Sequence, residues 1–266
     1  MGRPFFIGGE PRVARAVGTS DWSSVDLEPS LLRIDPITRH LLAGYWTDLG
    51  RTKHAAVASY ARLAMQLLSL GAPPELVSGA HAAMGEELRH ARFAFTVASA
   101  FRFMPVGPGP LGVDDAFQGS SIEALLTDVV RAGCVATTVA SMELRELLEK
   151  VEDSALRFVV SEMARDTAEH VVFAWRTLQW LCDDLGDPAR DLVRSEASRI
   201  AGELTQARSE PPPAHVPDET LLRAGYVSGR VRRDVKLAAL ERALFGLRAI
   251  ADDAMGDDES ERVTVA

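Results

Sequence analysis

The chain contains little cysteine and lacks long apolar runs. Its only cysteines, Cys134 and Cys182, both fall in segments with helical periodicity. Two buried thiols are therefore expected rather than a disulfide framework, which is typical of a reducing compartment. No stretch of about 18 apolar residues occurs, and the apolar run after Met1 is too short for a secretion signal. These absences predict a cytoplasmic protein without a membrane segment.

Basic charge is also scarce. The 29 Lys and Arg residues are outnumbered by 38 Asp and Glu, which gives a net charge of −9. The charges are spread along the chain, so we expect no nucleic-acid partner. Four cations cluster near the C-terminal end, where we expect a solvated face or pairing with nearby acids rather than an anion site: Arg230, Arg232, Arg233 and Lys236.

One pattern occurs twice in the chain. Glu86-Glu87-Leu88-Arg89-His90 lies in a stripe of apolar residues spaced by three and four, and Asp166-Thr167-Ala168-Glu169-His170 lies in a matching stripe 80 residues later. These spacings select one face of a helix, so Glu87, His90 and His170 are predicted to point into a core. Buried ionisable groups are costly without partners, which marks this as the candidate functional site.

Glycine and proline residues between helical segments predict an all-α fold. Residues 1–35 are expected to form an irregular arm on the surface, and four core helices are expected within residues 36–185. Gly71-Ala72-Pro73-Pro74 makes the first connection short, Pro105 to Pro110 begins a longer one, and the third is short again. This order is one of the four-helix bundle topologies, two hairpins joined by a crossover. A helical extension at 186–255 and an acidic flexible tail at 256–266 complete the prediction.

The chain resembles the ferritin-like superfamily over roughly residues 30–185. The resemblance is carried by four segments: Gly71-Ala-Pro-Pro-Glu-Leu-Val77, Glu86-Glu-Leu-Arg-His-Ala91, Gly133-Cys-Val135, and His170 through Trp180. It implies a four-helix bundle, in which such proteins usually hold two iron or manganese ions between a Glu from each of two helices and a Glu-x-x-His from each of the others.

The metal ligands implied by this resemblance are only half present. Glu87, His90 and His170 match the pattern, whereas Lys53, Thr137 and Thr167 stand where the family has glutamates. The hydroxyl of Thr is a poor substitute for a bridging carboxylate, and an ammonium group places positive charge where a metal would lie. We therefore expect a Lys53–Glu87 ion pair, with the two threonines supplying hydrogen bonds and no di-metal centre.

A single metal ion remains an alternative. Glu86 and Asp166 match positions that orient the opposing histidines in the family, and counting them leaves surplus negative charge. Either the histidines are protonated or one cation, Fe, Mn or Zn, binds Glu87, His90 and His170.

Three functions fit this pattern. The first is a metal-independent enzyme that cyclises, eliminates or isomerises a small organic substrate with Lys53, Tyr60, Glu87, His90 and His170. The second is a metal-dependent oxidoreductase. The third is a binding protein in which the former site only stabilises the fold through polar contacts, here called a polar staple. Glu86, Thr137, Asp166 and Thr167 support the site in each. No membrane partner is expected, and a homodimer formed through exposed apolar helix faces stays open.

Overall fold

A computed structural model describes residues 3–23, 27, 29–30, 34–117, 121–209 and 218–252. It is mostly helical, at 76%, with seven helices and two small two-stranded sheets in this part of the chain. The helices are α1 (Pro36–Ser69), α2 (Pro74–Arg102), α3 (Ile122–Lys150), α4 (Ser154–Leu185), α5 (Asp187–Ser209), α6 (Asp218–Arg223) and α7 (Gly229–Asp252). The predicted acidic tail and the linker at Pro211–Pro213 lie outside the described residues.

Helices α1 and α2 form an antiparallel hairpin. The carboxylate of Asp35 caps α1 by accepting hydrogen bonds from the backbone N–H groups of Ile37 and Thr38. At the turn, Gly71 adopts the left-handed conformation with φ of 69°, as its expected role at the end of α1 requires. A single helix runs from Pro36 to Ser69 and uses Pro at its first turn.

Helices α3 and α4 form a second hairpin. Helix α3 is interrupted by a π-helical segment, Val129–Val135, in which the N–H of Ala136 bonds to the carbonyl of Arg131. The side chain of Asp153 caps α4 by accepting a hydrogen bond from the N–H of Leu156. Contacts between α2 and α4 join the two hairpins.

A layer of polar residues lies between the two larger apolar clusters of the interior. One cluster includes Leu63, Leu67 and Leu76 near the α1–α2 turn, and the other includes Trp46 and Phe95 toward the opposite end. The stretches of α1, α2 and α4 between the clusters carry the buried Lys53, Glu87, His90, Asp166 and His170.

The C-terminal helices pack against these hairpins. Ile200 in α5 and Leu240 in α7 belong to the same apolar cluster as Leu63. The predicted pairing of the C-terminal cations with acids is confirmed for Arg232, whose Nε lies 3.1 Å from Oε1 of Glu143.

The N-terminal arm is partly internal. Its strands β1 (Phe6–Ile7) and β2 (Glu10–Pro11) form a hairpin, and β3 (Ala16–Val17) pairs with β4 (Gly107–Pro108). The prediction of an arm lying only on the surface was wrong at Arg3 and Phe5, which are 1% and 2% exposed. These side chains fill space beside the core helices.

Helix α3 is apolar and long enough to cross a membrane by length and composition alone. In the fold, 61% of the most apolar 18-residue stretch of this helix is buried. One such helix is weak support for a membrane span, because core helices have the same composition.

Candidate functional site

Lys53 and Glu87 form a buried ion pair at the centre of the polar layer. Nζ of Lys53 lies 3.0 Å from Oε1 of Glu87, and each side chain is only 1% exposed. Burial disfavours the charged form of Glu87, but Lys53 and the two nearby histidines outweigh it and lower the pKa of Glu87 to about 2. The ion pair expected from the sequence is thus present.

His90 is oriented by a carboxylate of the neighbouring helix. Its Nε2 lies 2.9 Å from Oδ2 of Asp166; the same oxygen accepts a hydrogen bond from Arg89, and Oδ1 of Asp166 accepts one from Arg165. Burial lowers the pKa of His90, so the ring is neutral at pH 7 and donates its Nε2 proton to Asp166. Its Nδ1 is then an unprotonated base, 3.9 Å from Oε2 of Glu87.

His170 has the corresponding arrangement, but its pKa is shifted in the other direction. Its Nε2 lies 2.7 Å from Oε2 of Glu86, and its Nδ1 lies 3.5 Å from Oε1 of Glu87. Burial alone would lower the pKa of His170, but the two carboxylates outweigh burial and raise it. The pKa values of the two histidines are therefore shifted in opposite directions although their sequence settings match.

Tyr60 and Thr137 close the layer on the side of α3. The Tyr60 hydroxyl hydrogen-bonds with the Thr137 side chain, and burial together with Glu87 raises the pKa of Tyr60, so it stays protonated. Thr137 donates to the carbonyl of Ala132, five residues earlier, at 3.1 Å. The π-helical segment thus places Thr137 between its own backbone and Tyr60.

Arg3 covers Tyr60 from the N-terminal arm. Its guanidinium carbon is 5.4 Å from the centroid of the Tyr60 ring, its Nε donates to Ser59 at 3.0 Å, and it pairs with Asp128. A charge from the arm thus borders the polar layer.

Several buried polar atoms of the layer have no hydrogen-bond partner in the described part of the chain: Oε2 of Glu87, Nδ1 of His90, Oγ1 of Thr167 and Nδ1 of His170. The hydrogen bond expected from Thr137 is present, but that expected from Thr167 is not. Native proteins satisfy most buried polar atoms, so such a concentration is unusual. Unsatisfied groups of this kind are found where a ligand or water binds.

The free space at this site is small. A cavity of about 20 Å³ borders Lys53 and is also lined by Tyr45, Glu143 and Met163. This volume is enough for about one water molecule. This cavity by itself therefore does not admit a larger molecule.

The residues do not fit a di-metal centre. Among the described residues, no group of three or more His, Cys, Asp or Glu side chains is arranged to hold a metal ion. The Lys53 ammonium contacts a Glu87 oxygen that would be a ligand, and Thr137 and Thr167 provide no carboxylate. Glu169, an alternative assisting ligand, is exposed.

Sequence reasoning missed the groups that balance the surplus acids. Arg89 and Arg165 pair with Asp166, and Arg3 enters from the arm. Arg89 lies inside the repeated motif, so the sequence did contain a positive charge that could pair with one of the acids. Nothing in the sequence pattern indicated that Arg3 enters the core.

Searches of family models, curated proteins and solved structures found no match to this chain.

Proposed function

We propose that this chain is a diverged ferritin-like protein that acts, without a metal ion, on a small organic molecule at the polar layer. Three features support the ferritin-like relationship. The core helices form two hairpins, the connection between the hairpins is long, and each histidine of the repeated motif is oriented by an acid from the other helix.

The observation that carries the proposal is the set of unpartnered atoms beside the Lys53–Glu87 pair. Glu87, His90, Thr167 and His170 each have one buried polar atom without a hydrogen-bond partner in the described part of the chain, and these atoms could bind polar groups of a substrate. The opposite pKa shifts of two nearby histidines favour one as a base and the other as an acid at one site, as general catalysis requires.

The chemistry follows from the protonation states. His90 takes a proton from the substrate at Nδ1, while Asp166 holds its Nε2–H and stabilises the imidazolium that forms. His170 donates a proton from Nδ1 to the group that becomes negative. Lys53 and Glu87 orient polar groups of the substrate, and Tyr60 adds a hydroxyl. An elimination, isomerisation or cyclisation needs only these transfers and no redox partner.

A metal assay separates this proposal from the oxidoreductase alternative. The protein is expressed with added iron, manganese or zinc, and its metal content is measured by mass spectrometry. We expect substoichiometric metal in every preparation, because Lys53 neutralises Glu87. A stoichiometric metal that is lost in Glu87→Gln and His170→Ala would replace the proposal with a metal-dependent function.

Matched variants separate catalysis from a polar staple. The protein is incubated with a bacterial small-molecule extract, and consumed and formed masses are compared with those from His90→Ala and Glu169→Gln. We expect a conversion in the wild type and in Glu169→Gln, whose carboxylate is exposed, and none in His90→Ala at equal thermal stability. If His90→Ala only lowers the melting temperature and no conversion depends on it, the staple interpretation holds.

A further inference from the structure

A groove separate from the polar layer runs between the N-terminal arm, α1, α3 and α7. Its volume is about 370 Å³, and its lining is largely apolar, with Phe5 and Val13 from the arm, Ala55 from α1 and Val139 from α3. This volume lies in the range of ligand sites, which are mostly apolar with a few placed polar groups. The groove therefore has the size and surface for a small apolar body.

The charged residues of the groove are mainly cations. Arg12, Arg232 and Lys236 line it together with a single carboxylate, Glu143. Arg232 pairs with Glu143, so Arg12 and Lys236 remain without an ion-pair partner in the described part of the chain. The groove is thus locally cationic on a protein whose net charge is −9.

The two unpaired cations come from different segments. Arg12 belongs to the arm and Lys236 to α7, so both sides of the groove contribute positive charge. Arg232 adds a further donor, because its Nη2 is buried without a hydrogen-bond partner among the described residues. An anionic group in this groove would gain charge-assisted hydrogen bonds from both sides.

We propose that this groove binds a soluble small molecule with an apolar body and an anionic head, such as a carboxylate, held by Arg12, Arg232 and Lys236. The body lies against Phe5, Val13 and Val139. This site does not depend on the function proposed for the polar layer. Glu143 borders both the groove and the small cavity at Lys53, so an occupant would lie next to the wall of that cavity.

Three probes of equal chain length test the proposal. Calorimetric titrations use decanoate, decanol and decylamine below their micelle-forming concentrations. Only decanoate is expected to bind saturably, with weaker binding at high salt, because apolar contact alone does not use the cations. Equal binding of decanol or tighter binding of decylamine would overturn the anionic assignment, and so would the absence of saturable binding of decanoate.

Variants locate the binding. Arg12→Gln combined with Lys236→Gln is expected to weaken decanoate binding roughly tenfold, and both side chains are exposed, so folding is retained. Arg242→Gln, an exposed cation of α7 outside the groove, is the matched control and should leave the dissociation constant unchanged. An equal loss in the control would refute the location. Cosedimentation with phosphatidylglycerol vesicles that depends on Arg12 and Lys236 would instead assign the groove to a membrane surface.

Discussion

The buried ammonium of Lys53 and carboxylate of Glu87 depend on each other for stability. Replacing Lys53 with Ala leaves Glu87 charged at 1% exposure, so we predict a loss of about 3–5 kcal/mol in the free energy of unfolding. Urea unfolding measures this loss. The double variant Lys53→Met/Glu87→Leu should recover most of it, and Lys150→Ala, at an exposed position, should change little. An unchanged midpoint for Lys53→Ala would contradict the structure.

Acid should weaken the same pair. The pKa of Glu87 is lowered from 4.5 to about 2 in the folded protein. Its ionisation therefore contributes stability that is complete above about pH 4.5 and is lost as pH falls toward 2. We predict that stability falls more steeply over this interval in the wild type than in Lys53→Met/Glu87→Leu, which retains Asp166. Urea unfolding at a series of pH values measures this difference. If the wild type and the double variant lose stability in parallel, Glu87 does not titrate in this way.

At the level of single residues, the sequence predicted the groups whose position follows from helical spacing. Glu87, His90 and His170 are buried together because each replaces an apolar residue in a stripe. The Lys53–Glu87 pair was expected because the resemblance to ferritin-like proteins places Lys53 at a ligand position, where its charge would neutralise Glu87. Arg3 was not predictable, since the arm has no periodicity, and its contact with Asp128 depends on tertiary packing.

Among the elements, α3 carries a glycine that lies close to Arg3 and to α4. A Cβ atom at Gly133 would lie 2.9 Å from Nη1 of Arg3 and 3.3 Å from Cβ of Ala174. We predict that Gly133→Ala destabilises by roughly 1–3 kcal/mol, because α4 and Arg3 must both shift. Gly85→Ala, where nothing lies within 4 Å, should instead stabilise by about 0.5–1 kcal/mol. Thermal unfolding of the two variants compares them, and a Gly133→Ala protein as stable as Gly85→Ala would refute the packing.

Element boundaries were predictable where capping residues mark them. Gly71 and Pro74 indicated the α1–α2 turn, and Glu152 and Asp153 the turn before α4. The π-helical segment in α3 was not predicted from the sequence. It changes which residues of α3 face the core, so Thr137 meets Tyr60.

On the scale of the whole molecule, the polar layer lies between two larger apolar clusters. The apolar spacing in the sequence does not distinguish one cluster from the other. The cluster nearer the α1–α2 turn also contains residues from α5 and α7. The other cluster contains Trp46 from α1, Phe95 from α2 and Leu222 from α6. The C-terminal helices therefore contribute to both clusters. This sharing predicts that the described part of the chain unfolds as one unit although its centre is polar.

A cavity created in the C-terminal extension should therefore also lower the stability of the far end of the core. Leu240 in α7 is 2% exposed, and we predict that Leu240→Ala destabilises by about 2–5 kcal/mol. Hydrogen exchange followed by mass spectrometry should show the slowest amides of α7 and of residues 91–101 accelerating by the same factor, since both exchange only on global unfolding. Phe245→Ala, at a side chain 78% exposed, should leave both segments unchanged. Acceleration confined to α5 and α7 would mean that the extension unfolds separately and that the core stands without it.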